Sequence, residues 1–433
     1  MEVSVLALKA LKEIIDDKKQ FHIVLERILS EYNLSSEEKK ILRNIVLGSI
    51  KHFYFLRYEI TKSFAQFKKD DDETYLLIIS LYELRFCSKK FALYQVIDST
   101  MRAADFMKLR LSKEEVSKKL TYLFENKTPI DDEIKKDPYA FNSLFFSIPL
   151  WIIKMWAEQY GYEVTMNLLL STQKKPTQWL ACNQALCSKD SLLIDNKFVD
   201  SSLASTALSL NYNGSCTELE EVRQGKVYVQ DVSMQYMLDQ LNYPFQAKAL
   251  HIGGISGAIL TNIASKLLAK HGTVEGMYSN EKRYRRSNYL LARSWIKNAK
   301  CYLGGLSLTK TYCSYEDYDL VIVTPPNSYL GQIQRKPDIP LTLTKEDMKT
   351  IIAKEKEAAE LRKKYFGPEG EMAKKQQALI NPIQDKIYEA VKQIAQQNGY
   401  DAVVDRSSAQ SIIFASPRID ISNEVLSKLG YSN

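Results

Sequence analysis

The apolar run that ends at Thr324 is followed directly by Pro325, Pro326, Asn327 and Ser328. A buried strand that stops at two prolines reads as the rim of a binding cleft, where an acid, a thiol or a base would be expected. This stretch offers two hydroxyls and an amide instead. No nucleophile elbow accompanies the serines, so Ser/His/Asp hydrolysis has no support. His22, His52, His251 and His271 are far apart in the chain and read as surface or satisfied core rather than as a base or a metal set. Cys87, Cys182, Cys187, Cys216, Cys301 and Cys313 form no C-x-x-C pair and have no histidine at ligand spacing, which leaves them as buried free thiols. A different chemistry is written in EKRYRRSNYLLAR, which places Lys282, Arg283, Arg285, Arg286 and Arg293 with Tyr284 and Tyr289 on one expected helix. Cations neutralise phosphates and aromatic rings stack on unpaired bases, so this mixture suits single-stranded RNA. Lys174, Lys175 and Trp179 add a second basic-aromatic group.

The elements that must carry these residues follow from the hydrophobic pattern. A chain of 433 residues is too long for one core and divides into roughly two to four domains. Hydrophobic residues make up 45% and charged ones 26%, and no run approaches the roughly 18 apolar residues of a membrane span. Lys9, Lys12 and Glu13 interrupt the apolar start, so it does not read as a secretory signal and the expected setting is cytoplasmic. The net charge of +7 permits a polyanionic partner without requiring one.

Residues 4 to about 126 predict an all-helical domain of six or seven helices, with Val5, Leu8, Leu11 and Ile15 on one face of the first. Ser35 or Ser36 and then Ser112 stand at helix starts. ENKTPIDDEIKKDPYAFNS reads as a polar linker before an apolar helical stripe at Trp151, Ile152, Met155 and Trp156. WLACN, SLLI and KVYVQD predict short strands of a mixed α/β connector. From Ala247 strand, glycine turn and helix alternate through KALHI, GGISG, AILTNIASKLLAKHG, TVEGMY and the basic helix to KCYLGG and YDLVIVTPP, the pattern of a doubly wound nucleotide-type fold. Residues 349–397 predict charged helix interrupted at Phe366-Gly367-Pro368; YDAVVD and SIIFAS predict two strands, and SNEVLSKLG a short serine-capped helix. The expected layout is therefore a helical domain at 1–127, a linker and connector at 128–245, a Rossmann-like domain at 246–348 and a helical stalk with a small α+β end at 349–433.

Taken together, EEKKILRNIVLGSIKHFYFLRYEI, ISLYELRFCSKKFALYQVIDSTMRAAD, QKKPTQWLACNQ, VYVQDVSMQ and YDLVIVTPPNSYLGQIQRKPDI resemble, in order and spacing, the Sun/Fmu (RsmB) family of ribosomal RNA cytosine-5 methyltransferases over about the first 345 residues. The resemblance implies a NusB-like RNA-binding domain, S-adenosylmethionine as cofactor and ribosomal RNA as partner. It also implies a cofactor turn at Gly253, Gly254 and Gly257 and a ribose-binding carboxylate in the stretch held by Tyr278, Ser279 and Asn280. A further acid is implied beside the adenine, where Gly304 or Gly305 stands. His251, Ser256 and Ile259 replace that family's acid, proline and lysine. Its Asp-Ala-Pro-Cys-Ser motif aligns with Thr324-Pro325-Pro326-Asn327-Ser328, so the thiolate that would add to the pyrimidine is missing. Gly253, Gly254, Gly257 and Asn280 are what remains of the implied cofactor site, and Arg335 keeps its place in the segment that follows, as a phosphate contact or as a partner of Asp338.

The last 85 or so residues, from RKKYFGPEGEMAKKQQALINPIQDKIYEAVKQIAQQNGYDAVVDRSS to SPRIDISNEVLSKLGY, resemble the C-terminal part of the OmpH/Skp chaperone family. Their mixed charge reads as a solvated stalk or helix partner through which the chain could oligomerise. YDAVVD and SIIFAS could complete the exposed edge of the sheet or form a separate lobe. The reading reached is an RNA-binding, methyltransferase-like protein that does not methylate cytosine and does not hold S-adenosylmethionine. The alternatives are an active methyltransferase, which calorimetry with S-adenosylmethionine would reveal, and a chaperone or structural module, which light scattering would test.

Overall fold

The computed structural model describes residues 2–64, 66–67, 71–87, 89–194, 196–211, 216–254, 257–304, 318–325, 327–405 and 419–431. It divides into two compact units, Met1–Leu343 and Thr344–Asn433. The first unit begins with seven helices: α1 (Val3–Ile15), α2 (Phe21–Glu31), α3 (Ser36–Lys51), α4 (Phe53–Ser63), α5 (Asp72–Phe86), α6 (Leu93–Phe106) and α7 (Lys113–Glu125). Ser35 caps α3 in a reciprocal box with Glu38, and Ser112 caps α7 by accepting from the Glu115 amide. The apolar face of α1 enters the core through Val5, Leu8 and Leu11, and α5 is buried along nearly its whole length.

The stretch expected as a linker is helical. α8 (Asp132–Lys136) and α9 (Pro138–Phe146) precede α10 (Leu150–Tyr160) and α11 (Tyr162–Gln173). Pro138 stands in the first turn of α9, where its missing N–H costs nothing, and Asp137 caps that turn. Phe146, Ile152, Ile153, Trp156 and Leu169 close a core of their own.

The connector is an antiparallel sheet in the order β2-β3-β1-β4, formed by β1 (Trp179–Cys182), β2 (Phe198–Asp200), β3 (Ala207–Leu210) and β4 (Val227–Val229). SLLI, expected as a strand, lies in the short helix α12 (Lys189–Leu193), because the Ser188 hydroxyl caps it. α13 (Glu220–Arg223) and α14 (Val232–Asp239) lead into the parallel sheet of β5 (Lys248–Gly253), α15 (Ala258–Leu268), β6 (Thr273–Tyr278), α16 (Glu281–Arg293), β7 (Ala299–Leu303) and β8 (Leu320–Thr324). Its order is β7-β6-β5-β8, all parallel. The order reverses between β5 and β8, so the crevice at their carboxyl ends is the topological switch point of this α/β sheet. Buried amides join the two sheets: Asn183 donates to the carbonyls of Gly225 and Ser294, and Asn262 donates to Gln230.

After β8 the chain returns to the helices. Leu330 and Ile333 pack into the α9–α11 core, Gln334 bonds the Ser171 carbonyl, and the short α17 (Ile339–Thr342) follows. Asp338, just before it, accepts from the Phe21 amide at 3.2 Å.

The second unit holds α18 (Lys345–Phe366), α19 (Glu371–Asn398) and α20 (Ser422–Lys428), with α20 packed on α19 through Val425, Ala390 and Ile394. Ser422 opens α20 without capping it. Of the expected strand pair, YDAVVD is not a strand and SIIFAS lies outside the described residues. Among the described residues β8 is therefore an edge strand, and Val321 and Val323 are exposed on it. No helix among the described residues is long and apolar enough to cross a membrane.

Candidate functional site

At the switch point, Gly253 and Thr324 are in register at the ends of β5 and β8. Gly253 has φ +95°, and a Cβ there would meet the Thr324 carbonyl oxygen at 2.5 Å. A side chain is thus excluded by the approach of the strands themselves. At Gly257, with φ +69°, a Cβ would lie 2.7 Å from the Ser287 Cα, which seats the start of α15 against α16. These glycines therefore have a packing role that needs no ligand.

The positions at which the sequence lacks the expected acids meet inside the cleft. The His251 Nε2 lies 3.0 Å from the Thr324 Oγ1, and the Thr324 hydroxyl is directed at the Ile252 carbonyl at 3.4 Å. This arrangement makes Thr324 the acceptor and assigns the imidazole proton to Nε2. His251 has no solvent exposure, and burial lowers its pKa to about 4, so the ring is neutral. Its Nδ1 has no hydrogen-bond partner among the described residues. Tyr278 packs edge-on against it with ring centroids 6.3 Å apart, and burial pushes the phenol upward. The three strand ends present a neutral cluster of imidazole, hydroxyl and phenol.

A nucleoside cofactor needs a two-oxygen acceptor for its vicinal ribose hydroxyls. Among the described residues no unpaired carboxylate stands at these strand ends. Asn280 caps α16, its Oδ1 accepting from the amides of Lys282 and Arg283, and Glu281 pairs with Arg285 at 2.5 Å. The Gly304 amide donates to the Tyr278 carbonyl; Ser256, Gly305 and Pro326 lie outside the described residues. The described residues at these strand ends do not supply the acceptors that S-adenosylmethionine needs. Asn327 is exposed and accepts from the Tyr329 amide, a turn contact with no nucleophile in it. The thiol on the sheet, Cys301 on β7, is pushed up to about 12 by burial, far from the thiolate that attack requires. A cavity of about 500 Å³ opens beside Asp239, Ser265, Lys266 and Lys270 instead. It lies at the other end of α15, about 15 Å along the helix from the glycine turn.

The basic helix behaves differently. Lys282, Arg286, Tyr289 and Arg293 recur at spacings of three and four along α16 and so share a face. Tyr289 is 66% exposed, and the Arg293 guanidinium lies 5.6 Å from its ring centroid. Tyr284 on the other side is partly buried and packed against the core. Trp295, two residues past the helix, is 69% exposed; only its position after a helix end could have marked it in the sequence. Lys174 and Lys175 are exposed beyond α11, and Trp179 is half-buried at the start of β1. Arg335 does not pair with Asp338. It bonds Asp231 at 2.6 Å and the Thr177 carbonyl at 2.7 Å, so its guanidinium is engaged in holding the connector.

Comparison with known proteins gives two separate likenesses. The chain is 23% identical over 355 residues to the probable ribosomal RNA small subunit methyltransferase B of Bacillus subtilis (strain 168), covering 79% of this chain and 77% of that protein. It is 22% identical to the probable protein of the same name from Coxiella burnetii, covering 73% and 75%. The crystal structure of PH0851 superposes with a TM-score of 0.65 at 16% identity, covering 86% of this chain and 84% of that one; this likeness is one of fold. A family model described as outer membrane protein (OmpH-like) matches residues 330–429, beginning inside the first unit. Over about four-fifths of its length the chain is thus similar to proteins named ribosomal RNA small subunit methyltransferase B, and over residues 330–429 to the OmpH-like family.

Proposed function

We propose that this protein is an RNA-binding scaffold built on a methyltransferase-type fold, acting in the cytoplasm without methyl-transfer chemistry of its own. The observation that carries the reading is the His251–Thr324 hydrogen bond, which joins two positions where catalysis would need carboxylates. A neutral pair of a buried imidazole and a half-buried hydroxyl can neither grip the polar part of a cofactor nor assist addition to a pyrimidine. The stripe of exposed Lys282, Arg286 and Tyr289 with half-buried Arg293 retains the means to hold a phosphate backbone and stack a base. Ribosomal RNA is the expected partner, through the likeness to the named methyltransferases. In this reading residues 1–127 supply a NusB-like RNA-binding bundle, 128–245 the connector, 246–348 the cofactor-free sheet and 349–433 a helical appendage.

Fluorescence anisotropy with a labelled single-stranded ribosomal RNA fragment, run across a salt series, tests the RNA half. Three phosphate contacts by the stripe predict a log–log salt slope of about −2, reduced to about −0.7 in Lys282→Ala/Arg286→Ala. Incubation of protein and RNA with labelled S-adenosylmethionine tests the other half, and no label is expected in the RNA. Methylated RNA, or RNA binding that ignores both the substitutions and salt, would overturn the proposal.

A further inference from the structure

The helical bundle carries a second set of groups that neither the sheet nor α16 accounts for. Glu83 on α5 is 5% exposed, and its carboxylate has no hydrogen bond or ion pair among the described residues. Burial alone raises it to about 7. Beside it, Cys87 receives the Asn44 side-chain amide at 3.5 Å, and Glu83 acts electrostatically on the Cys87 thiol. Next along α5, Phe86 is 46% exposed. Its ring stacks on His52 with centroids 4.1 Å apart and planes 13° apart. Tyr82 is nearly parallel to Phe86 at 5.4 Å and lies 6.2 Å from His52. These three distances place Tyr82 to the side of Phe86 rather than opposite His52, so neither ring covers the second face of Phe86.

We propose that this ledge, formed by Phe86, Glu83 and Asn44, binds a guanine base of single-stranded RNA. The base lies on the open face of Phe86 and donates N1–H and N2–H to the two Glu83 oxygens. The assignment rests on the RNA-binding reading above and adds to it a subsite and a base preference. Guanine alone among the four bases offers two adjacent donors on its pairing edge, and a carboxylate without donors is the complement of that edge. An arginine side chain from a protein partner presents the same two donors. The surroundings favour the nucleic acid, because Lys51 and Lys90 act on His52 and Cys87, where they attract phosphate and repel a guanidinium.

The test uses the full chain at pH 8 and two labelled oligouridylates that differ in one internal residue, guanosine or adenosine. The guanosine oligomer should bind about tenfold tighter, the discrimination of one well-made bidentate contact. Glu83→Gln should bring the ratio close to one while leaving the adenosine oligomer unchanged. Phe86→Ala should weaken both by about tenfold, through lost stacking. Lys282→Ala/Arg286→Ala should weaken both oligomers and keep their ratio. Circular dichroism confirms folding, and Glu83→Gln removes a buried charge and does not threaten it. Equal binding of the two oligomers, or a ratio that survives Glu83→Gln, would remove the subsite and leave the RNA-binding reading standing. Glu83-dependent capture of an arginine-rich peptide without base preference would reassign the ledge to a protein partner and overturn the proposal. Failure to bind either oligomer would overturn both readings.

Discussion

Glu83→Gln also carries a stability prediction that holds whatever the ledge binds. Glu83 lies among buried residues of α5 with no donor among the described residues, and burial is the sole cause that lifts its pKa from 4.5 to about 7. An acid whose folded pKa is raised favours the folded state most fully below its unfolded value. That contribution is lost as pH rises from about 4.5 through about 7. A lift of this size corresponds to about 3 kcal/mol of penalty once the group is ionised. Glutamine has nearly the same shape and never ionises. The substitution should therefore be near neutral at pH 4.5 and stabilise the chain by about 3 kcal/mol at pH 8, on the order of 6 °C in melting temperature. Differential scanning calorimetry of the two proteins at both pH values measures this, and hydrogen exchange of the α5 amides locates the effect in the bundle. An equal shift at both pH values, or a loss of stability at pH 8, would refute the reasoning, because either result means that the carboxylate has a donor in the folded chain.

Two further substitutions probe the packing that sets up the site. Gly253→Ala forces a Cβ against the Thr324 carbonyl at a positive φ and should cost about 2 kcal/mol or more; urea denaturation reads the loss, and a downfield-shifted, titrating His251 resonance would report its release from Thr324. Arg85→Ala leaves Glu59, itself 2% exposed and bonded to Arg85 at 3.1 Å, as a buried charge without that partner. It should cost about 3 to 5 kcal/mol, again measured by urea denaturation, whereas an exposed pair such as Lys113–Asp98 should cost less than about 1 kcal/mol.

The elements that were legible are those whose pattern is local. The three-and-four spacing of Val5, Leu8 and Leu11 marks α1, and the caps at Ser35 and Ser112 are found where the sequence places them. The alternation of strand, glycine turn and helix after Ala247 is met strand for strand by β5 to β8. The misses have local causes of their own. Pro138 reads as a breaker until Asp137 is seen to cap the turn that begins there. SLLI has the composition of a strand, but Ser188 starts a helix before it. YDAVVD alternates like a strand, but residues 400–405 do not adopt one.

By itself the sequence determined which chemistry was missing, since a residue type is read without coordinates: no acid at 251 or 324 and no thiol at 327. It also determined the alternation of strands and helices after Ala247 and the basic helix, because both follow from periodicities shorter than one element. Tertiary structure decided what became of the vacated chemistry. His251 and Thr324 are 73 residues apart in the chain and form one hydrogen bond. Arg335 is taken by Asp231, 104 residues before it. Among the described residues Glu83 has no hydrogen-bond or ion-pair partner, although charged residues are plentiful along the chain. Pairing, burial and isolation depend on which distant segments share a core, and no local pattern encodes that.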